Sequence, residues 1–191
     1  MEPDRPTDAV TGVVDPFDRL LERRTVFLRG PLDTVAANRL AAQMLMLDAG
    51  GRGEITLLVN SDGGPVECLL PVADTMASLD SQVATTCLGR ASGTAAVVVA
   101  LGTGRRRAAP GARLTLRTPR SGGDEGTADD MGRRAALAAD QRRQVAVLLA
   151  GATGRTLDAV AAELDTGQYL SPREAVAAGL VDEVVERSTS A

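Results

Sequence analysis

The sequence predicts an α/β domain built around a largely parallel sheet. Short apolar stretches, such as TVFLRG and EITLLVNS, alternate with longer stretches in which apolar residues recur at helical spacing. This alternation is typical of a parallel sheet, because each helix carries the chain back to the edge where the previous strand began. The chain has 191 residues and no internal repeat, which suits one domain. We expect a flexible arm over residues 1–14, which lack apolar periodicity, and a single domain over residues 15–191.

The elements of the first half follow from apolar runs bounded by turn residues. Strands are predicted over residues 25–30, 54–61 and 82–89. A helix begins at the N-cap Asp33 and ends at the glycine pair 50–51. The next helix begins at Pro65 and contains Pro71, which should kink it, because proline lacks the backbone N–H that a helix needs. The apolar stretch TAAVVVAL predicts a buried helix over residues 94–101.

The second half adds a strand and the longest helix. The strand ARLTLRTP should turn Leu114 and Leu116 to one face, and Arg113, Thr115 and Arg117 to the other. The long helix over residues 131–154 carries arginine pairs at 133–134 and 142–143, which we interpret as a solvated face.

Strong signals mark the C-terminal elements. A short helix is expected over residues 156–164. The next helix begins at the N-cap Ser171, with Pro172 at its first position and Glu174 at its third, and Gly179 lies just past its end. A strand should follow it.

The composition removes the usual bases for proton transfer. The chain has no histidine, and all 21 of its basic residues are arginines, so lysine is absent as well. A serine hydroxyl is a weak nucleophile near neutral pH and needs a base, most often histidine and sometimes lysine. Only Asp, Glu, Tyr or Cys could serve here, and each would need a large pKa shift. The composition therefore argues against a serine hydrolase of the usual kind.

Charge and hydropathy narrow the classes of partner. A net charge of −4 does not provide the basic surface that binding to nucleic acid requires.

Cys68 and Cys87 lack metal-ligand spacing and are interpreted as small buried residues in a reducing compartment, so neither a metal nor another cofactor is expected. No apolar run reaches the roughly 18 residues of a membrane span. The polar start lacks a secretory signal, so we expect a cytoplasmic protein. Because aromatic residues make up only 2% of the chain, small side chains must form the core, which weakly favours an oligomer.

The stretch LGRASGTAAVVVALG places Ser92 between small residues, just ahead of an apolar helix. Many hydrolases present their nucleophile on such a turn, although the local sequence here does not match the GxSxG motif. The serine is therefore either a nucleophile or an N-cap whose hydroxyl accepts a backbone N–H. The missing bases favour the cap.

Several motifs, in the same order, resemble the proteolytic subunit of the Clp protease. They are DPFDRLLERRTVFLRG, LLVNSDGG, VADTMASL, TTCLGRASGTAAVVVALG, ARLTLRTP and LSPREAVAAGLVDEVV, and the resemblance covers about residues 15–186. The resemblance implies a crotonase-like fold of repeated strand–helix units with a protruding handle helix. It also implies a heptameric ring, and ATP-dependent proteolysis with an AAA+ Clp ATPase.

The departures from the family pattern fall on its catalytic residues. Laid on the pattern Gly-x-Ala-Ala-Ser-x-(Gly or Ala)-Ala, the stretch GRASGTAA puts Gly93 at the serine position and Ser92 one residue early. At a helix start, one residue turns a side chain by about 100°. Arg117 stands at the histidine position, and Asp165 is the only acid near the aspartate position. We expect Arg117 to pair with a carboxylate such as Asp165, to lie in solvent, or to bind a peptide carboxylate or another anion.

Part of the catalytic scaffold is expected to persist. The family takes the backbone donors of its oxyanion hole from a Gly-Gly turn and from the residue after the nucleophile, which match Gly63, Gly64 and Thr94 here. Backbone donors do not depend on side chains, so the hole is expected as a vestige. A tight turn that the fold needs anyway also explains the two glycines.

Three functions remain open from the sequence. The first is a degenerate Clp subunit without peptidase activity, which builds or regulates a ring alone or with an active relative. The second is an active serine peptidase that uses Ser92 with a non-histidine base. The third is a crotonase-like acyl-CoA enzyme, which no motif favours.

The resemblance also bears on assembly. Docking of a Clp ATPase should be weak, because Leu58 and Ser78 stand where the family has aromatic residues, and RRRAAP stands where it has an apolar one. The handle corresponds to residues 130–150, and its apolar residues Leu137, Val145, Leu148 and Leu149 are expected to need a covering partner. The glycine- and charge-rich loop RSGGDEGTADD ahead of the handle favours an unlike partner over an identical ring.

Overall fold

The computed structural model describes residues 15–117 and 128–186 of the chain. Its strands form one sheet: β1 (Thr25–Pro31), β2 (Ile55–Gly63), β3 (Val83–Ser92), β4 (Arg106–Ala108), β5 (Arg113–Thr115), β6 (Tyr169–Leu170) and β7 (Glu183–Val184). The order is β1-β2-β3-β4-β7, with β5 pairing the far end of β3, and β6 pairing β5. Every pairing is parallel except that of β5 with β6. The predicted α/β fold with a largely parallel sheet is therefore confirmed.

The helices connect these strands. They are α1 (Pro16–Glu22), α2 (Thr34–Ala49), α3 (Val66–Ser78), α4 (Thr94–Ala100), α5 (Ala128–Thr153), α6 (Leu157–Thr166) and α7 (Pro172–Ala177). Two predicted caps are confirmed. Asp33 accepts the Ala36 N–H at 2.8 Å, and both halves of the capping box between Ser171 and Glu174 are present. The predicted strands and helices are thus found, with shifts of a few residues at their ends, whereas α1, β4 and β6 were not predicted.

A helix that spans a membrane must be long and apolar. No single one of the described helices is long and apolar enough. Only α5 and α6 taken together pass by length and composition, and they are bent by 118° at their junction.

The core lies between the sheet and the helices that cover it. All seven residues of α4 are buried, because alanine and valine side chains allow the helix to lie close to β2 and β3. Leu57, Leu69 and Leu114 are fully buried. Each buried side chain of this size contributes about 1.5–3 kcal/mol relative to an exposed one. Apolar packing of small side chains thus holds β3 and α4, and the turn between them, in a fixed place.

The long helix α5 divides into a projecting half and a packed half. Residues 131–140 are almost entirely exposed, and Leu137 is 55% exposed. Val145 and Leu149 are each 1% exposed, and Leu148 is partly buried against the core. The expectation that all four apolar residues need a partner is therefore wrong for these three, because the domain itself covers them. The loop RSGGDEGTADD lies largely outside the described residues.

Candidate functional site

The turn between β3 and α4 has the geometry of a nucleophile elbow. β3 ends at Ser92, and Gly93 is the N-cap of α4, with φ 54° and ψ −123°. Residues other than glycine rarely adopt such a backbone conformation. In many hydrolases, a sharp strand-to-helix turn of this kind exposes the side chain of the nucleophile. The Gly93 N–H donates to the Thr115 carbonyl at 2.8 Å, which ties the turn to β5. The elbow is therefore formed, but its residue has no side chain.

Ser92 does not cap α4. The cap is Gly93, and no side chain hydrogen-bonds to the first turn of the helix. The prediction is wrong because the strand continues to Ser92 and the chain turns only at the positive φ of Gly93. The Ser92 side chain is half-buried and lines a cavity, and its hydroxyl has no hydrogen-bond partner among the described residues.

Arg117 lies beside the empty elbow. A Cβ placed on Gly93 would be 3.6 Å from Nε and 3.7 Å from Cγ of Arg117. Positions 93 and 117 thus face each other, as a nucleophile and its base would. The Nη2 group of Arg117 donates to the Asp62 carbonyl at 3.4 Å, and no ion pair joins Arg117 to any described carboxylate.

Asp165 is held by a different arginine from the one expected. Nη2 of Arg142, on α5, donates to Oδ2 of Asp165 and also to the Ala161 carbonyl at 3.2 Å. A pair between Arg117 and Asp165 is therefore not formed. Because α6 packs against α5, Arg142 is only partly exposed, which overturns its interpretation as part of a solvated face. The other three arginines of the two pairs, at 133, 134 and 143, are exposed.

The Gly-Gly turn is present, but its donors are already engaged. The Gly64 N–H donates to Oγ1 of Thr94 at 2.8 Å, and the Gly63 N–H donates to Oγ of Ser61 at 3.0 Å. The Thr94 hydroxyl in turn donates to the Gly64 carbonyl at 3.1 Å. The turn requires glycine at both places, since a Cβ at Gly64 would lie 1.9 Å from the Leu32 carbonyl oxygen. Thr94 and Gly64 were both predicted to supply backbone donors to the oxyanion hole. The Thr94 hydroxyl instead accepts the Gly64 N–H, so that donor is occupied.

A cavity of about 1350 Å³ opens at this turn. Its lining includes three arginines and two carboxylates: Arg90, Arg113, Arg117, Asp62 and Asp165. Arg113, Thr115 and Arg117 come from one face of the same stretch of chain, and Leu114 and Leu116 are buried on the other, as the alternation predicts. Of the two carboxylates, that of Asp62 pairs with Arg90 and that of Asp165 with Arg142.

Neither cysteine takes part in this site. Cys68 and Cys87 are buried and free, as predicted. Burial raises the pKa of the Cys87 thiol to about 12, so it stays protonated near neutral pH and is not a candidate base or nucleophile.

The family model of the Clp protease matches residues 9–188. The chain belongs to the Clp protease family. A Clp protease proteolytic subunit-like protein of Streptomyces coelicolor is 42% identical over 183 residues, covering 94% of this chain and 86% of its own length. The ATP-dependent Clp protease proteolytic subunit 2 of Streptomyces avermitilis is 38% identical over 91% of this chain and 88% of its own length. The proteolytic subunit 1 of Rhodococcus jostii is 34% identical over 90% of this chain and 79% of its own length.

On the Clp pattern, the serine position coincides with the elbow at Gly93. Sequence reasoning missed Arg142 as the partner of Asp165, because the two residues are separated by 23 positions. It also missed the Thr94 hydroxyl, since it treated Thr94 only as a backbone donor. A polar, β-branched residue directly after the elbow was the available signal for this second interaction.

Proposed function

We propose that this chain is a Clp-type ring subunit without peptidase activity of its own, with a structural or regulatory role beside an active subunit. The observation that carries the proposal is Gly93. Gly93 adopts the elbow conformation but has no side chain, and the side chain that lies beside it in space is that of Arg117. An arginine side chain stays protonated in proteins and cannot accept a proton as a general base.

Two further contacts support the loss of activity. The carboxylate of Asp165 is paired with Arg142, on α5, rather than with the residue at the histidine position. The Gly64 N–H donates to the Thr94 hydroxyl, so it is not free to bind the oxyanion that forms during peptide hydrolysis. Restoring one part of such a site gives little, because the parts of a triad act as a unit.

Peptidase activity is tested with fluorogenic peptides and a fluorophosphonate probe, using an intact Clp subunit as the positive control. We expect neither turnover nor labelling of this chain. Ser92 lines the cavity, so Ser92→Ala is the decisive variant, and Ser78→Ala, at an exposed position of α3, is its matched control. Turnover that is abolished by Ser92→Ala and retained by Ser78→Ala would overturn the proposal in favour of a serine peptidase.

The ring role is supported by the projecting half of α5. Leu137 and Met131 lie exposed on it, at 55% and 61%. A second protein surface that covered them would bury apolar area at little cost. Native mass spectrometry of the chain, alone and co-expressed with an intact Clp subunit from the same genome, tests this role. We expect a seven-membered ring, mixed when both chains are present. A monomer under both conditions would refute it.

A further inference from the structure

The cavity at the elbow carries more guanidinium charge than carboxylate charge. Arg90 pairs with the carboxylate of Asp62, and the carboxylate of Asp165 is held by a guanidinium from α5. The other two arginines of the lining, Arg113 and Arg117, pair with neither of these carboxylates.

These two guanidinium groups have few other contacts. The one described hydrogen bond of Arg117 is the 3.4 Å contact with the Asp62 carbonyl. Arg113 donates to the Ala112 carbonyl at 3.0 Å. Its charge also helps to lower the pKa of Glu174, although hydrogen bonds from Ser171 are the larger cause. Among the side chains of residues 15–117 and 130–186, no carboxylate lies within ion-pair distance of either arginine.

The rest of the lining is mixed in character. The hydroxyls of Ser92 and Thr115 have no hydrogen-bond partner in the described part of the chain. The exposed Tyr169 adds aromatic surface, whereas Leu164, which also lines the cavity, is almost fully buried. At about 1350 Å³ the cavity exceeds the roughly 300–1,000 Å³ of ordinary small-molecule pockets. A small inorganic anion would leave most of it unfilled.

We propose that this cavity binds a peptide without cleaving it, and that Arg117 holds a carboxylate of that peptide, while Arg113 adds a second positive charge to the lining. A guanidinium group donates two parallel hydrogen bonds to a carboxylate, a geometry that a neutral amide cannot match. The hydroxyls of Ser92 and Thr115 suit the peptide backbone, and the exposed ring of Tyr169 suits an apolar side chain of the peptide. The inference rests on the proposed function only in that the bound peptide is not hydrolysed.

Fluorescence anisotropy with the purified full chain tests the proposal. The probe is an N-terminally fluorescein-labelled hexapeptide of alanine, leucine and serine with a free C-terminal carboxylate. The same peptide with a C-terminal amide is its partner. A third peptide, amidated but with one internal serine replaced by glutamate, separates a side-chain carboxylate from a C-terminal one.

We expect the free-acid peptide, the glutamate peptide or both to bind at least tenfold more tightly than the plain amide. Arg117→Gln should weaken that binding about tenfold. Arg105→Gln, an exposed arginine that pairs with Glu183 away from the cavity, is the matched control and should change nothing. Higher salt should also weaken binding, because the contact is between charges.

Three results would overturn the inference. They are equal binding of all three peptides, unchanged binding after Arg117→Gln, and inorganic phosphate binding as tightly as the free-acid peptide. Failure here leaves the proposed function standing, since carboxylate dependence and ring assembly are measured separately. Cleavage of the peptides would instead refute the proposed function.

Discussion

At the scale of single residues, Gly93 is the position on which the proposed lack of peptidase activity depends. Its φ of 54° is held by the β3–α4 turn and by the N–H donated to Thr115. The fold keeps the strained elbow, but the chain has neither a nucleophile there nor a base beside it. Compared with a serine at this position, glycine lacks the hydroxyl and also avoids the steric cost of the backbone conformation.

Replacing Gly93 by alanine should therefore destabilise the protein. We expect Gly93→Ala to lower the free energy of unfolding by about 1–3 kcal/mol, because a Cβ is strained at this φ. Gly111→Ala is the control: Gly111 has ordinary φ and open space around it, so the loss there should stay below about 0.5 kcal/mol. Urea unfolding measures both variants. Equal losses would show that the elbow is not strained.

Partial repair of the triad should not restore activity. We expect Gly93→Ser and Arg117→His, alone or together, to hydrolyse no fluorogenic peptide above background. The reason is that the Gly64 N–H stays engaged by Thr94, and Asp165 stays engaged by Arg142. Turnover by the double variant, sensitive to a fluorophosphonate, would show that these two contacts do not block catalysis.

At the scale of elements, Arg106 on β4 joins the C-terminal elements to the sheet. Its Nη1 group donates to the carbonyls of Ala152 and Gly179, at 3.0 and 2.9 Å, beside the ends of α5 and α7. Its other nitrogens pair with Asp182, just ahead of β7. Because the Arg106 side chain is only 16% exposed, its hydrogen bonds to the two carbonyls are partly shielded from water, whereas its partner Asp182 is 43% exposed.

Arg106→Gln should cost about 2–4 kcal/mol of unfolding free energy, since several charge-assisted hydrogen bonds are lost together. Arg105→Gln, which removes an exposed pair, should cost less than about 1 kcal/mol. Urea unfolding at neutral pH compares the two. Similar small losses would show that Arg106 does not anchor these elements.

The same contact predicts an acid-sensitive stability. The Arg106 side-chain hydrogen bond is the main cause that holds the pKa of Asp182 below its usual 3.8. A lowered folded-state pKa stabilises the fold above the unfolded value, and this contribution is lost as the pH falls below about 4 toward the folded value. Asp182→Asn should therefore lose stability at pH 7 and show a shallower decline on acidification, measured by urea unfolding across pH 3–7. An unchanged acid slope would contradict this.

The two halves of α5 should respond differently to the same substitution. Leu149→Ala should lower the free energy of unfolding by about 2–5 kcal/mol, because its side chain is buried in the core. Leu137→Ala should change it by less than about 0.5 kcal/mol in the isolated subunit, and should instead weaken assembly. Denaturation and native mass spectrometry, run in parallel, separate the effects. A large loss of subunit stability in Leu137→Ala would show that the exposed half is packed by its own domain.

At the scale of the whole molecule, the described fold keeps the Clp architecture while its elbow lacks a nucleophile. The sheet and the buried α4 are intact, and the projecting half of α5 exposes apolar side chains. The fold of the family is thus present, while Gly93 and Arg117 stand at the two positions on which the proposed inactivity depends. This combination supports the structural or regulatory role that we propose.

Docking of a Clp ATPase should distinguish this chain from an intact Clp subunit. We expect a homomeric assembly of this chain to retain little ATPase in a pull-down, because the family resemblance implies aromatic residues at the positions of Leu58 and Ser78, and aromatic side chains commonly anchor such contacts. An active subunit from the same genome serves as the positive control, and a mixed ring should retain the ATPase through that subunit. Tight binding by the homomeric protein would contradict the prediction.

The sequence by itself determined the α/β fold, most of the strands and helices, and the absence of histidine and lysine. Those features depend on local periodicity, on caps such as Ser171, and on composition, and each of these can be identified directly from the sequence. Short elements such as β6, with two residues, leave no such periodic signal. Tertiary structure alone decided that Arg142 holds Asp165, that Thr94 engages Gly64, and that Gly93 rather than Ser92 is the N-cap of α4. The first two contacts join residues 23 and 30 positions apart, and the third depends on a backbone angle, so no local pattern encodes them.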